Sequence, residues 1–453
     1  MAFDLLHSQP STQQTNMSDI LDDMQKAKEC ANIIKFQTDG DDIKYPNQQQ
    51  ARAEPNARLI RVFGIDNAFT NATENKTNFV KMTQNLMWKA MKMKDQKDDD
   101  NWVDLCQQAT MFFEEYQKNS STHTIQIAEL TQYVVLKLSL CYLFDDAREA
   151  LAANQAQFDD IKYIGQRINE LWVESKGNDD IERLPDWRDE EKLHAALRRV
   201  TQIPNVRTRG NLSTEPLRGK NNPMNLLLPA YETMWRVVLR CFLEVCYRNA
   251  PNSPDWIAIL KAYVGNLRSG ECTPNHAFHD STTTSSGGRT AEIVKEALRL
   301  YPPTRRVHRS FNGQRVAANI EECQRFNLLA DPDPLVFRPE RWREICFSKR
   351  QAFYDQAVRT EEENAFVPYK KAKDDLKGAE EKLGYMPFAY FCAADHAATK
   401  EFASKMIGML VGVLCEGLNG KWEVENTASL PASGTPLDSG RAAYEDLKLR
   451  RET

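Results

Sequence analysis

Residues 291–311 read AEIVKEALRLYPPTRRVHRSF, and residues 333–342 read DPLVFRPERW. Glu296 and Arg299 are three apart, so on a helix they share a face and can pair. Pro302 and Pro303 then end that helix, because proline lacks an amide donor and disfavours α geometry in the residue before it. A helical ion pair joined by a second arginine, Arg341, from a distant loop makes a bidentate network that can pin two chain segments together. Glu-x-x-Arg alone carries little information, since helices are full of such pairs. Followed by Leu-Tyr-Pro-Pro and then Phe-Arg-Pro-Glu-Arg-Trp, it is specific.

Outward from this segment, helical periodicity dominates. Residues 79–93, 104–118, 127–144, 159–176 and 224–247 carry apolar side chains at spacings of three and four. Strand-like segments are short and fall near Leu59–Phe63, Arg306–Phe311 and within 423–447. The expected fold class is mainly α with a small β part. Residues 201–222, rich in Pro, Gly and Arg, read as a long surface connection. STTTSSGG (281–288) reads as a mobile loop, and the charged stretch 365–382 as a helix on a solvent face.

The bulk composition narrows the function classes. The chain has 453 residues, 59 basic against 64 acidic, and a net charge of −5. That balance gives no footprint for nucleic acid. Residues 1–14 lack a basic and an apolar region, so no signal peptide is expected. The most apolar stretch, 127–144, is interrupted by Glu129 and Lys137, and a buried helix is expected there in place of a membrane anchor. Ten cysteines without a paired framework suit a reducing cytoplasm.

Taken together, 291–311 and 333–342 resemble the K-helix and meander signature of the cytochromes P-450. NPMNLLLPAYETMWRVVLR (222–240) resembles the family's long I-helix, with Glu232 and Thr233 as its acid–alcohol pair. MPFAYF (386–391) with KEFASKMIGMLVGVL (400–414) resembles the cysteine loop and L-helix, and GRAAYEDLKLRR (440–451) the terminal hairpin of soluble fungal members. The resemblance runs from about Arg58 to the C-terminus. It implies a cytochrome P-450 fold over 58–453 as a single catalytic domain, preceded by a polar, partly flexible segment 1–57. It also implies that Glu296, Arg299 and Arg341 form the structural network behind the haem.

The haem loop of that family reads Phe-Gly-x-Gly-x-His/Arg-x-Cys-x-Gly/Ala. Laid on this chain it falls on residues 388–397, with Asp395 at the iron-ligand position. Ala389 and Phe391 replace the glycines, and Ala393 the basic residue that meets a propionate. Bare backbone and a thiolate are what a porphyrin needs there, so no haem and no other cofactor is expected. Cys392 or His396 would be the substitute ligand in a haem-dependent alternative. In the I-helix segment, Pro229 removes a backbone donor and distorts the helix, and Tyr231 could fill part of the dioxygen site.

Other constellations are weaker. Asp145, Asp146 and Glu149 fit a magnesium-binding DDxxE pattern with Asn67, Thr70 and Glu74 as a second motif, but in the reversed order. Cys272, His276 and His279 lack a convincing fourth zinc ligand, and no metal centre is expected. Asp395 and His396 could form a general acid–base pair. His308 with Arg306 could meet an anionic substrate.

The expected function is a haem-free, redox-neutral enzyme of fungal natural-product biosynthesis acting on a hydrophobic small molecule, with intramolecular cyclisation of the Diels–Alder kind foremost. Candidate catalytic groups are Glu232, Thr233, Tyr231, Asp395 and His308, and candidate substrate contacts are Ala230, Phe391, Cys392 and Arg306. The alternatives are a haem-dependent monooxygenase or peroxygenase, and a non-catalytic binding or chaperone partner of a pathway enzyme.

Overall fold

The computed structural model describes residues 17–37, 45–73, 76–91, 102–120, 123–144, 157–178, 180–202, 214–280, 287–326, 333–345, 351–363, 366–389, 392–396 and 399–452. Its helices, in chain order, are α1 (Met17–Ile34), α2 (Gln48–Ala53), α3 (Ala57–Phe63), α4 (Lys76–Met91), α5 (Trp102–Asn119), α6 (Ile127–Leu143), α7 (Phe158–Glu174) and α8 (Glu191–Thr201). Then come α9 (Met224–Leu227), α10 (Thr233–Tyr247), α11 (Ser253–Ser269), α12 (Pro274–His279), α13 (Thr290–Leu300) and α14 (Ile320–Cys323). The last four are α15 (Arg341–Ile345), α16 (Gln351–Glu362), α17 (Phe366–Glu381) and α18 (Phe402–Leu418). The class is mainly α, as the periodicity indicates.

The core is helix on helix. α6 and α18 are apolar almost all round and buried on every side, which is how a central helix differs from a surface one. α5, α10 and α11 pack around them, with α7 against α6. No helix among the described residues is long and apolar enough to cross a membrane.

Two small antiparallel sheets flank this bundle. β1 (Thr124–Gln126), β4 (Trp422–Val424) and β5 (Lys448–Arg451) join in the order β1-β5-β4, with Ile125 opposite Leu449 and Leu449 opposite Val424. β2 (Arg306–Phe311) and β3 (Gln314–Asn319) form a hairpin with His308 opposite Ala317. Its two-residue loop, Asn312-Gly313, has φ of 52° and 79°, as a turn matched to the twist of the strands requires. α1 and α2 pack against this hairpin.

Three sequence expectations need correction. Residues 59–63 are helical, because Leu59, Val62 and Phe63 bury one helix face and Gly64 closes the helix at φ 60°. Between 423 and 447 only the first residues are strand. The pairing partner lies beyond, at 448–451. The helix over 365–382 is present as α17, but it packs against α16 and buries Tyr369, Ala372 and Glu380 instead of lying free on solvent. Residues 203–213 and 281–286 of the two loop assignments lie outside the described residues.

The Glu296 network is formed and fully buried. Arg299 donates Nε and Nη2 to the two Glu296 oxygens at 2.9 and 2.8 Å, and Arg341 donates Nε at 2.9 Å. Trp342 Nε1 and the Arg338 amide add two more donors, at 3.1 and 2.9 Å. Burial alone would push this carboxyl up, but Arg299 and Arg341 outweigh it and hold it below the ordinary range. The contribution is therefore present above the usual carboxylate pKa and is lost as pH falls through the depressed one. Glu296→Gln should cost about 3–5 kcal/mol of stability near neutral pH, since it strands two buried guanidinium groups. Urea denaturation measures it, and a loss below about 1 kcal/mol would contradict this account.

Candidate functional site

Between α9 and α10 the helix widens into a π turn over Leu228–Glu232. Pro229 has no N–H, so the carbonyl of Asn225 loses its helical partner. Asn67 supplies one instead, donating Nδ2 to Asn225 O at 3.0 Å. Asn225 in turn holds the Asp66 amide and Gly219 O with its side chain, at 2.9 and 2.7 Å. Asn67 and Thr70 are thus structural, Thr70 donating to Ile65 O at 2.8 Å. Asp145, Asp146, Glu149 and Glu74 lie outside the described residues.

From Asn222 to Val245 every residue is buried except Pro229, Ala230 and Thr233. These three share one stripe at the π turn, where the burial of this central helix is interrupted. Such turns occur frequently at functional sites. Ala230 packs against the main core, as do Phe388, Ala393 and Ala394 of the segment before α18.

The polar side chains of the π turn are all committed. The buried Glu232 carboxylate accepts from Trp235 Nε1 at 2.9 Å and pairs with Arg236 and Arg441. Arg441 comes from the C-terminal segment and stacks over Trp172, its guanidinium carbon 3.9 Å from the ring centroid. Thr233 Oγ1 donates back to Pro229 O at 2.9 Å. Tyr231 is fully buried and its hydroxyl reaches Gly165 O at 3.4 Å. A Cβ on Gly165 would lie 3.0 Å from that hydroxyl, so glycine leaves room for it. Burial, and then Glu232, keep the Tyr231 phenol protonated.

The segment 387–396 carries the other candidates. Asp395 ends a short 3-10 turn, Ala393–Asp395. Its carboxylate meets Lys377 at 2.5 Å and Lys373 at 3.7 Å, both from α17. Burial opposes its ionisation, but the two lysines outweigh that and hold it below the usual range. Burial, then the Asp395 charge, push the Cys392 thiol up, so it is held protonated. His396 is half-buried, and burial with Lys373 lowers its affinity for a proton. Ala389 packs with Met386 in a small cluster beside β2–β3. Phe391 lies outside the described residues. A carboxylate already paired with two lysines does not fit a haem iron that is held by a thiolate.

The sequence does not announce Lys373 and Lys377 as partners of Asp395, because charges in a stretch like 365–382 read as solvated. Their i, i+4 spacing with Tyr369 is the one local signal that they share a face. The α16–α17 pair is docked by ions along its length: Lys35–Glu381, Lys295–Glu380 and Lys405–Glu361 join the two Asp395 contacts. Beneath it is a cavity of 80 Å³, lined in part by His279, Glu361, Tyr369, Lys373, Asp395 and Glu401. Cys272, His276 and His279 do not converge. His276 faces Asp280 at 3.5 Å, while His279 turns inward to Glu401 at 2.9 Å.

His308 lies on β2 on the same face as Arg306. Burial, then the cations of Arg315, Arg58 and Arg306, push its imidazole down to about 4. Arg306 itself is exposed. This imidazole is neutral near pH 7, so the charge on this face comes from arginine.

No family model matches this sequence, and no curated protein matches it. Among solved structures, the haem domain of cytochrome P450DA aligns with 89% of this chain and 82% of its own, at 14% identity and a TM-score of 0.47. A triple-substituted variant of that domain aligns with the same figures. The reading of the site rests on its side chains.

The His308 environment has a pH consequence. Its folded pKa of about 4 lies below the unfolded value of 6.5. Between these values the unfolded chain binds a proton that the folded one refuses, so stability falls as pH drops through that window. Thermal denaturation from pH 7 to 4 should show a shallower decline in His308→Gln than in the parent. Equal slopes would mean that His308 protonates in place.

Proposed function

We propose that this chain is a cytochrome P-450-like scaffold that works without haem and carries out a redox-neutral reaction on a hydrophobic small molecule, an intramolecular cyclisation. The observation that carries the reading is the stripe of Pro229, Ala230 and Thr233, the one place between residues 222 and 245 where a buried helix becomes partly exposed.

The state of the neighbouring polar groups supports the choice of reaction. Glu232 is tied to two arginines, Thr233 to Pro229 O and Tyr231 to Gly165 O. A group so engaged is a poor general acid or base, because proton transfer needs a side chain free to reach the substrate. A pericyclic ring closure needs no such group. It needs the substrate held in a reactive conformation, and orientation alone is worth several kcal/mol. Glu232, Thr233 and Tyr231 then keep the π turn in shape, and Ala230 with Thr233 offers the contact surface. Asp395 is likewise committed to Lys373 and Lys377, so it acts in docking α17. The likeness of 440–451 to soluble fungal members is what suggests a natural-product intermediate as substrate.

The test incubates purified protein with an extract from a producer strain lacking the gene and follows it by mass spectrometry. One ion should disappear and an isomer of identical mass appear, without added reductant. Ala230→Phe should slow this by about tenfold or more by filling the contact surface, while Thr233→Val stays within about threefold. Hemin added to the purified protein should give no Soret band at roughly 400–450 nm. A product heavier by one oxygen atom and dependent on reductant would sink the proposal.

A further inference from the structure

His279, Glu361 and Glu401 are far apart in sequence, yet each offers a ligand atom within 4.8 Å of the others. α12 ends on His279, Glu361 lies in the last turn of α16, and Glu401 immediately precedes α18. All three line the 80 Å³ cavity beneath the α16–α17 pair. His279 and Glu361 are buried and Glu401 is half-buried.

Two independent features point to a ligand here. The Tyr369 hydroxyl is buried, lines the same cavity and lies beside the Glu361 carboxylate without a hydrogen bond of good geometry to it. A buried unpaired hydroxyl is costly, and a metal-bound water would satisfy it. The second is backbone strain. Lys400 and Glu401 are consecutive non-glycine residues in the left-handed region, at φ 42° and 58°. Such conformations persist when the surroundings impose them, and they cluster at ligand clamps.

We infer that His279, Glu361 and Glu401 form a binding site for a divalent transition-metal ion, with its open coordination positions facing the cavity. One imidazole and two carboxylates suit zinc or manganese better than magnesium, which prefers oxygen and retained water. Bonds to zinc run about 2.0–2.2 Å, so small side-chain rotations bring all three atoms onto one ion. Lys405 pairs with Glu361 at 2.5 Å. The site is independent of the reaction proposed above.

The experiment strips the full-length protein with EDTA and titrates it with zinc, manganese and magnesium chlorides by calorimetry. About one equivalent of zinc or manganese should bind, at least about tenfold tighter than magnesium, and raise the thermal midpoint. Glu401→Gln and His279→Asn should each weaken binding about tenfold or more. Cobalt(II) added to the unaltered protein should show ligand-field bands without a thiolate charge-transfer band, a readout that needs no variant to fold. Absence of saturable binding would overturn the inference. So would equal affinity in a folded Glu401→Gln variant, or a thiolate band with cobalt.

Discussion

One buried carboxylate organises the part of the molecule on which everything else is mounted. Glu296 accepts from both Arg299 nitrogens, from Arg341, from Trp342 and from the Arg338 amide. The arginines spend their remaining donors on carbonyls of Gln324, Asp333, Pro334 and Val336. Gln324 then holds Leu298 O and Arg299 O with its amide nitrogen and accepts from the Met386 amide. A single charge thus fixes α13, the 333–342 loop and the entry to segment 387–396. Buried ion networks gain little over apolar packing in net stability. What this one supplies is geometry.

The same device recurs at the candidate site. Glu232, Asp395 and Glu361 are each met by a cation from elsewhere in the chain, namely Arg441, the α17 lysines and Lys405. A carboxylate paired in this way loses its freedom to reach out to a substrate.

The sequence was most legible where a pattern is local. The helical periods of 104–118 and 127–144 match α5 and α6 within a residue or two, and the Glu296 set closes as the Glu-x-x-Arg and Arg-Trp spacing implied. β3 follows a strong hairpin signal, Asn312-Gly313, directly after a strand that the sequence shows. Residues 59–63 read as a strand in the sequence because a short apolar run has no decisive period. Long-range pairings left no trace. Nothing near Glu232 announces Arg441, and nothing near Asp395 announces Lys377, because side-chain partners brought together by tertiary packing obey no spacing rule. The π turn lay between. Pro229 marked the distortion, but only the structure shows Asn67 repairing the carbonyl it strands.

The ionic seam under α16 and α17 also bears on how the molecule opens. Lifting that pair would part Glu361 from Lys405, Glu380 from Lys295 and Glu381 from Lys35, and would uncover Asp395 at the same moment. Each separation leaves a charge facing low-dielectric surroundings until water arrives. Partial peeling is thus penalised before it gains solvation, and the two helices should behave as one cooperative unit in native-state exchange. Their backbone amides, together with those of 385–389, 392–396 and 399–404 beneath, would then report a single shared opening event, whereas helices of this exposure ordinarily fray residue by residue.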